Sequence, residues 1–140
     1  MEYTIRELKK EDLNTCAKLV LEEFNKQGEG FSELTAKQRC EEAFFPELAY
    51  CAEVNGKIIG LTLTSTFHYA KGKYLWIEEL VVKQGFQGKG IGRALMQKLE
   101  EVCIEKKVDI ISLNTRKINL PFYKKFGFGE TEYVMVEKKL

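Results

Sequence analysis

Three groups of residues in this chain carry chemistry by type and spacing. The stretch Gln87-Gly88-Lys89-Gly90-Ile91-Gly92, followed by Arg93, puts a glycine-rich turn between a strand-like run and an amphipathic helix. Such a turn presents unpaired backbone N–H groups at the positive end of the helix dipole, an anion site best matched by phosphate. Upstream, Glu78 and Glu79 interrupt the run Tyr74–Val82, which is rich in aromatic and β-branched residues. A charge in an apolar strand costs free energy unless it has a partner or a task. Strand side chains alternate, so one glutamate is expected on each face and only one in any cleft. Downstream, Tyr123 lies between Phe122 and Phe126. That trio reads both as an aromatic helix face packed on a sheet and as a phenol held for proton transfer.

What the loop lacks narrows its ligand. A nucleoside-triphosphate loop needs Ser or Thr after its lysine, and Lys89 is followed by Gly90. A dinucleotide fingerprint needs a third glycine where this chain has Arg93 or Leu95. The remaining pattern, Gln-x-x-Gly-x-Gly, resembles the coenzyme turn of the GNAT acetyltransferase superfamily. Ile5-Arg6-Glu7 with Glu11-Asp12-Leu13 is similar to that family's opening strand and first helix. Phe122-Tyr123-Lys124-Lys125-Phe126-Gly127-Phe128 resembles its C-terminal signature, Phe-Tyr-x-x-x-Gly-Phe. The two motifs keep the family's order, and the likeness covers essentially all 140 residues.

The resemblance implies an α/β fold: one domain over residues 1–140, a mixed and mostly antiparallel sheet flanked by helices. It implies transfer of an acetyl group from acetyl-coenzyme A to a primary amine, by direct attack in a ternary complex. Backbone N–H groups at Leu80 and Val82, with Val81 between them, would meet the thioester and pantetheine arm where the strand bulges and splays. The turn from Gln87 through Gly88, Lys89, Gly90, Ile91 and Gly92 to Arg93 would hold the pyrophosphate, and Tyr123 would protonate the departing thiolate. An amine of pKa about 10.4 is almost wholly protonated at neutral pH, so a nearby carboxylate must take its proton. The first acid, Glu78, is preferred for that over Glu79. Alternatively both are ordinary salt-bridged strand residues.

Two departures from the family pattern matter. Arg116 and Asn119 stand where an asparagine and an alanine are usual, which leaves Asn114 or Arg116 to meet the coenzyme. Residues from Gly129 to Leu140 leave little room for the closing two-strand hairpin, so a homodimer partner is one source of further surface. The expected acceptor is a small-molecule amine such as a polyamine or aminoglycoside, with a protein N-terminus or lysine second. Glu29 and Glu33 are either part of an acidic mouth or solvated charges. Residues 25–35 and 66–73, including His68 and Tyr69, are the loops expected to flank it. A non-catalytic acyl-coenzyme-A sensor on the same fold is the competing class.

These groups need elements to position them. A strand is expected over residues 3–8, then a helix capped by Asp12 with Leu13, Cys16, Ala17, Val20 and Phe24 on its apolar face. Ser32 is expected to cap a second helix ending before Pro46. Ala49–Val54 and Lys57–Phe67 read as strands joined at Asn55-Gly56, a two-residue hairpin turn. A strand at 74–82, a helix near 90–106, a strand Asp109–Asn114, a short helix Leu120–Phe126 and a strand-like run Tyr133–Lys139 complete the reading.

Composition excludes more than it identifies. With 22 Lys plus Arg against 21 Asp plus Glu there is no basic field to attract nucleic acid. No run reaches the length of a membrane span, and no leader segment is expected. Cys16, Cys40, Cys51 and Cys103 are widely spaced and read as reduced thiols of a cytoplasmic protein. His68 is the single histidine, and no metal is expected.

Overall fold

The computed structural model describes all 140 residues. Five strands, β1 (Thr4–Glu7), β2 (Ala49–Val54), β3 (Lys57–Tyr69), β4 (Gly72–Val82) and β5 (Ile110–Leu113), form one sheet in that order. The first four are antiparallel neighbours, while β5 runs parallel to β4. A parallel neighbour demands a crossover, which α3 (Ile91–Glu105) supplies. Helices α1 (Leu13–Lys26) and α2 (Glu33–Ala43) cover one face of the sheet, and α3 covers the other. Each face has its own core: Val20, Leu61, Leu63 and Val81 on the α1/α2 side, and Leu75, Ile77, Leu95 and Leu99 on the α3 side. The last helix, α4 (Leu120–Lys124), begins with Leu120-Pro121, and Phe122 and Phe126 pack on the α3-side core.

Local chemistry explains most boundaries. Ser32 Oγ accepts the Thr35 N–H at 3.0 Å and caps α2. Asn55 and Gly56 both adopt positive φ, as the two-residue hairpin requires. Asp12 stands at the start of α1 but does not cap it. Its carboxylate instead takes two hydrogen bonds from the Arg6 guanidinium, at 2.8 and 3.0 Å, and one from the Lys9 N–H. Those bonds, the Arg6 guanidinium first, hold the Asp12 carboxyl below its usual range. All four cysteines are buried, unpaired thiols.

The run Tyr133–Lys139 is not a strand. Residues 129–140 are exposed throughout, with Tyr133 at 76% and Val136 at 85%. Strand propensity is a preference for a paired, half-buried surface, and this segment has no ladder partner.

A break in register sets the position of the glutamates. Leu63 pairs with Glu79 and Thr64 with Ile77, so Glu78 is an extra residue opposite nothing: a β-bulge. Side-chain parity confirms the slip. Leu75 and Ile77 face α3, but beyond the bulge Leu80 and Val82 do so, while Val81 faces α1 and α2. Glu78 and Glu79 therefore fall on the same face, contrary to strict alternation. One inserted residue accounts for the difference.

Candidate active site

Pairing between β4 and β5 ends at Ile77 opposite Leu113, so the two strands part just where the bulge lies. The Lys83 N–H donates to the Ile59 carbonyl at 2.7 Å, which fixes the parity of the strand end. Val81 and Glu79 share that direction, toward β3, and the N–H groups of Leu80 and Val82 point into the opening. On the same open side, Gln87 Nε2 donates to the Val82 carbonyl at 2.8 Å. The glutamine of the turn thus ties the loop to the strand.

Beyond Gln87 the turn is built from backbone. Gly88 and Gly90 have φ of 75° and 85°, a region that a side chain strongly disfavours, and an added Cβ at either would meet nothing within 4 Å. Gly90 occupies the N-cap of α3 with no side-chain cap, leaving the first N–H groups of that helix to the cleft. Gly92 serves a different purpose: a Cβ there would lie 3.0 Å from the Phe122 ring. Behind the loop, Glu23 of α1 is only 3% exposed. It accepts the Gln84 N–H at 3.0 Å and the Lys26 ammonium at 2.9 Å, anchoring the loop from below.

Two cavities meet here. One, of about 260 Å³, lies along Val81, Val82, Gln87, Gly88 and Gly92. The other, of about 430 Å³, is lined by Glu78, Glu79, Glu29, Phe31, Asn114 and Arg116, among others. Phe24, Gln27, Leu80, Asn119 and Tyr123 line both, so these residues mark the junction. Gln27 and Asn119 are hydrogen-bonded across the mouth at 3.2 Å, and Glu29 pairs with Arg116 beside them.

The two carboxylates differ in their partners. Glu79 Oε1 receives the Arg39 Nε–H at 2.8 Å. Burial pushes the Glu79 carboxyl up, opposed by Arg39 and reinforced by the charge of Glu78. Burial likewise works against the Arg39 charge, but Glu79, then Glu78 and Glu42, outweigh it. Glu78 Oε2 is the one buried side-chain polar atom in the molecule with no hydrogen-bond partner. Tyr123, 8% exposed, is pushed up to about 12, by burial first and by the charge of Glu79 second. It holds its proton throughout the physiological range.

The structure thus brings together Glu78, Glu79, Tyr123, Leu80, Val81, Val82, Gln87, Gly88, Gly92 and Asn114 around one cleft. The side chain of Ile91 is instead in the core, the Arg93 guanidinium lies over the Phe126 ring at 5.3 Å, and Lys89 lines neither cavity. Glu33 is exposed in the first turn of α2, outside the cleft. His68 and Tyr69 extend β3 and also lie outside it. Gln27, Glu29 and Phe31 lie in the 25–35 segment expected to flank the acceptor, whereas sequence reasoning missed Phe24 as a cleft residue and Arg39 as the partner of Glu79 behind it. Arg39 reaches the site across 40 positions and carries no local pattern. Phe24 was visible only as one member of an apolar helix face.

Residues 13–128 match the Acetyltransferase (GNAT) family. The chain is 31% identical to an uncharacterized N-acetyltransferase of Methanocaldococcus jannaschii, over 94% of this chain and 63% of that one. It is 32% identical to a glucosamine 6-phosphate N-acetyltransferase of Trypanosoma brucei brucei, over 61% of this chain and 60% of that one. It therefore spans somewhat over half the length of these curated relatives. A predicted acetyltransferase of Clostridium acetobutylicum, solved with acetyl-CoA, superposes with a TM-score of 0.83 at 18% identity, over 97% of this chain and 96% of that one. That likeness shows the shared fold, and the motif-bearing region supplies the rest: this chain belongs to the GNAT acetyltransferase family.

Proposed function

We propose that this chain is an acetyl-CoA-dependent N-acetyltransferase acting on a small primary amine. The observation that carries the reading is the unpartnered Glu78 Oε2 in a cavity that opens, at Leu80 and Tyr123, onto the glycine-lined cavity. The glycine-lined cavity suits the coenzyme, because the turn along it is glycine-rich and the N-terminus of α3 beside it carries no side-chain cap. Gln87, Gly88, Lys89, Gly90, Ile91, Gly92 and Arg93 would hold the pyrophosphate through main chain, and Leu80 and Val82 the pantetheine arm and thioester. Asn114 lines the wider cavity beside the parting strands. When bound, acetyl-CoA supplies an acetyl group activated as a thioester.

The chain's own residues do the rest. Glu78 takes a proton from the substrate ammonium, freeing the nitrogen lone pair for attack. The Leu80 N–H faces the junction and stabilises negative charge on the carbonyl oxygen. Tyr123, neutral and buried, donates a proton to the leaving sulfur, whose thiol resembles cysteine with a pKa of about 8.5, and the second proton of the newly acylated nitrogen passes back to the Tyr123 oxygen as the C–S bond breaks.

Charge bookkeeping in the wider cavity narrows the amine. Glu79 is hydrogen-bonded to Arg39 and Glu29 to Arg116, which leaves Glu78, 3.9 Å from Arg39 and without a hydrogen bond at Oε2, as the carboxylate open to one cation. Gln27, Asn114, Thr115 and Asn119 add neutral hydrogen-bonding groups, beside Phe24 and Phe31. That set suits a hydroxylated amine such as an amino sugar or aminoglycoside better than a polyamine, which needs several unpaired carboxylates. Glucosamine 6-phosphate, named for the trypanosomal relative, has this character. A second copy, pairing the exposed Tyr133–Val136 segment with the free edge of β5, would complete the sheet as a homodimer. Sedimentation at micromolar concentration should give twice the chain mass, and a monomer would remove that part.

The test of the reading is the pH–rate profile of Glu78→Gln with an amino-sugar acceptor. The variant should lose about 100-fold or more in kcat at neutral pH and regain rate as pH rises toward the amine's own pKa. A profile superimposable on wild type would remove Glu78 as the base.

A further inference from the structure

Glu78 and Glu79 share a face, a strand and a neighbouring cation, yet only Glu79 is hydrogen-bonded to that cation. Arg39 sits on α2 with its side chain 28% exposed. Its Nε donates to Glu79 Oε1 at 2.8 Å, and its Nη2 donates to the backbone carbonyl of Glu78 at 3.1 Å. That carbonyl belongs to the bulged residue, which has no opposite number in the ladder and so needs a donor from elsewhere. Two bonds from one planar fork fix the guanidinium. Held this way, Nη2 stands 3.9 Å from Glu78 Oε2, beyond hydrogen-bond range. The remaining carboxylate at Arg39, Glu42, is 3.5 Å away and exposed.

We infer that Arg39 and Glu79 are a positioning pair: Glu79 compensates the guanidinium, and Arg39 pins the bulge, so that Glu78 Oε2 is left without a hydrogen bond and free for the substrate ammonium. The inference rests on Glu78 being the base. A carboxylate hydrogen-bonded to a guanidinium gives up its readiness to accept a proton, so a base beside an uncompensated arginine would be disarmed. Glu79 prevents that. The acidic pair thus has two jobs, and only its first member touches the substrate.

A cycle of variants tests this. Glu79→Gln keeps shape but removes the compensating charge, leaving Glu78 as the nearest buried carboxylate to Arg39. It should lower kcat about tenfold, with acetyl-CoA affinity by calorimetry unchanged. Adding Arg39→Gln to that variant removes the unwanted cation but also the bond to the Glu78 carbonyl, so it should recover part of the lost kcat and the double variant outperforms the single one while staying below wild type. In a Glu78→Gln background, Glu79→Gln should have no further effect on kcat. Thermal melts of each variant establish that the comparison is among folded proteins. Wild-type kcat in Glu79→Gln, or a double variant no faster than the single, overturns the inference while leaving Glu78 in place. Undiminished kcat in Glu78→Gln alone removes the underlying reading instead.

Discussion

The two cavities that meet at Leu80 and Tyr123 are built by different means. The one along Gly88 and Gly92 has a main-chain floor: a parted strand, a glycine turn and a helix N-terminus close together in sequence, walled by side chains of α1 and α4. The one around Glu78 is made of side chains from β4, α1, the α1–α2 loop and the β5–α4 loop, brought together from far apart in sequence, with Arg39 of α2 holding Glu79 from behind. A backbone-built site needs only glycine where side chains must be absent, and it suits a ligand shared among many proteins. A side-chain-built site changes with each substitution, and it suits a ligand particular to one of them. On this view the first cavity should tolerate changes that cripple the second, and the reverse.

Chemistry at the junction should respond most. Tyr123→Phe should lower kcat by about 100-fold with acetyl-CoA affinity nearly unchanged, as steady-state and calorimetric measurements together would show. A large loss of affinity would move Tyr123 from chemistry to binding. Because burial and Glu79 push this phenol up to about 12, its proton remains in place at any pH below about 11. Any fall in wild-type activity between pH 9 and about 10.5 should therefore persist unchanged in Tyr123→Phe.

Changes in the backbone-built cavity should act on the coenzyme or on stability and spare the amine. At Gly90, with φ of 85°, valine costs about 1–3 kcal/mol of strain and distorts the turn, so acetyl-CoA affinity should fall about tenfold or more. Retained affinity in Gly90→Val would sink the assignment of the turn. Gly92→Ala should cost about 1–3 kcal/mol of stability, read from chemical denaturation, because its Cβ meets the Phe122 ring at 3.0 Å. Smallest of all should be Glu29→Gln. Its pair with Arg116 is exposed, so stability should change by less than about 1 kcal/mol and only the KM for the amine should move. A changed acetyl-CoA affinity in that variant would blur the division between the cavities.

The same division governs what could be read in advance. The turn from Gln87 to Gly92, the hairpin at Asn55-Gly56 and the cap at Ser32 are local: their residue types and spacing state the backbone geometry they need. The positions of Glu78 and Glu79 were half legible. A charged pair in an apolar strand announced a function, but the bulge depends on how β3 and β4 pair, and alternation alone assigned the two to opposite faces. Asp12 was misread as a cap because nothing near it in sequence reveals that Arg6 would claim its carboxylate. Arg39 was invisible for the same reason, since an arginine on a helix gains its meaning only from the strand beneath it. Tyr133–Lys139 has the composition of a strand but no partner, and composition does not supply one.

Calorimetric titration of acetyl-CoA into the purified chain, with free coenzyme A alongside, tests the central claim most directly. One molecule bound per chain with micromolar affinity, undisturbed by Glu78→Gln, is the result expected of a coenzyme site built from main chain beside a separate acceptor cavity. No heat of binding from a sample shown to be folded would contradict it, and the acetyltransferase reading would fall with the site.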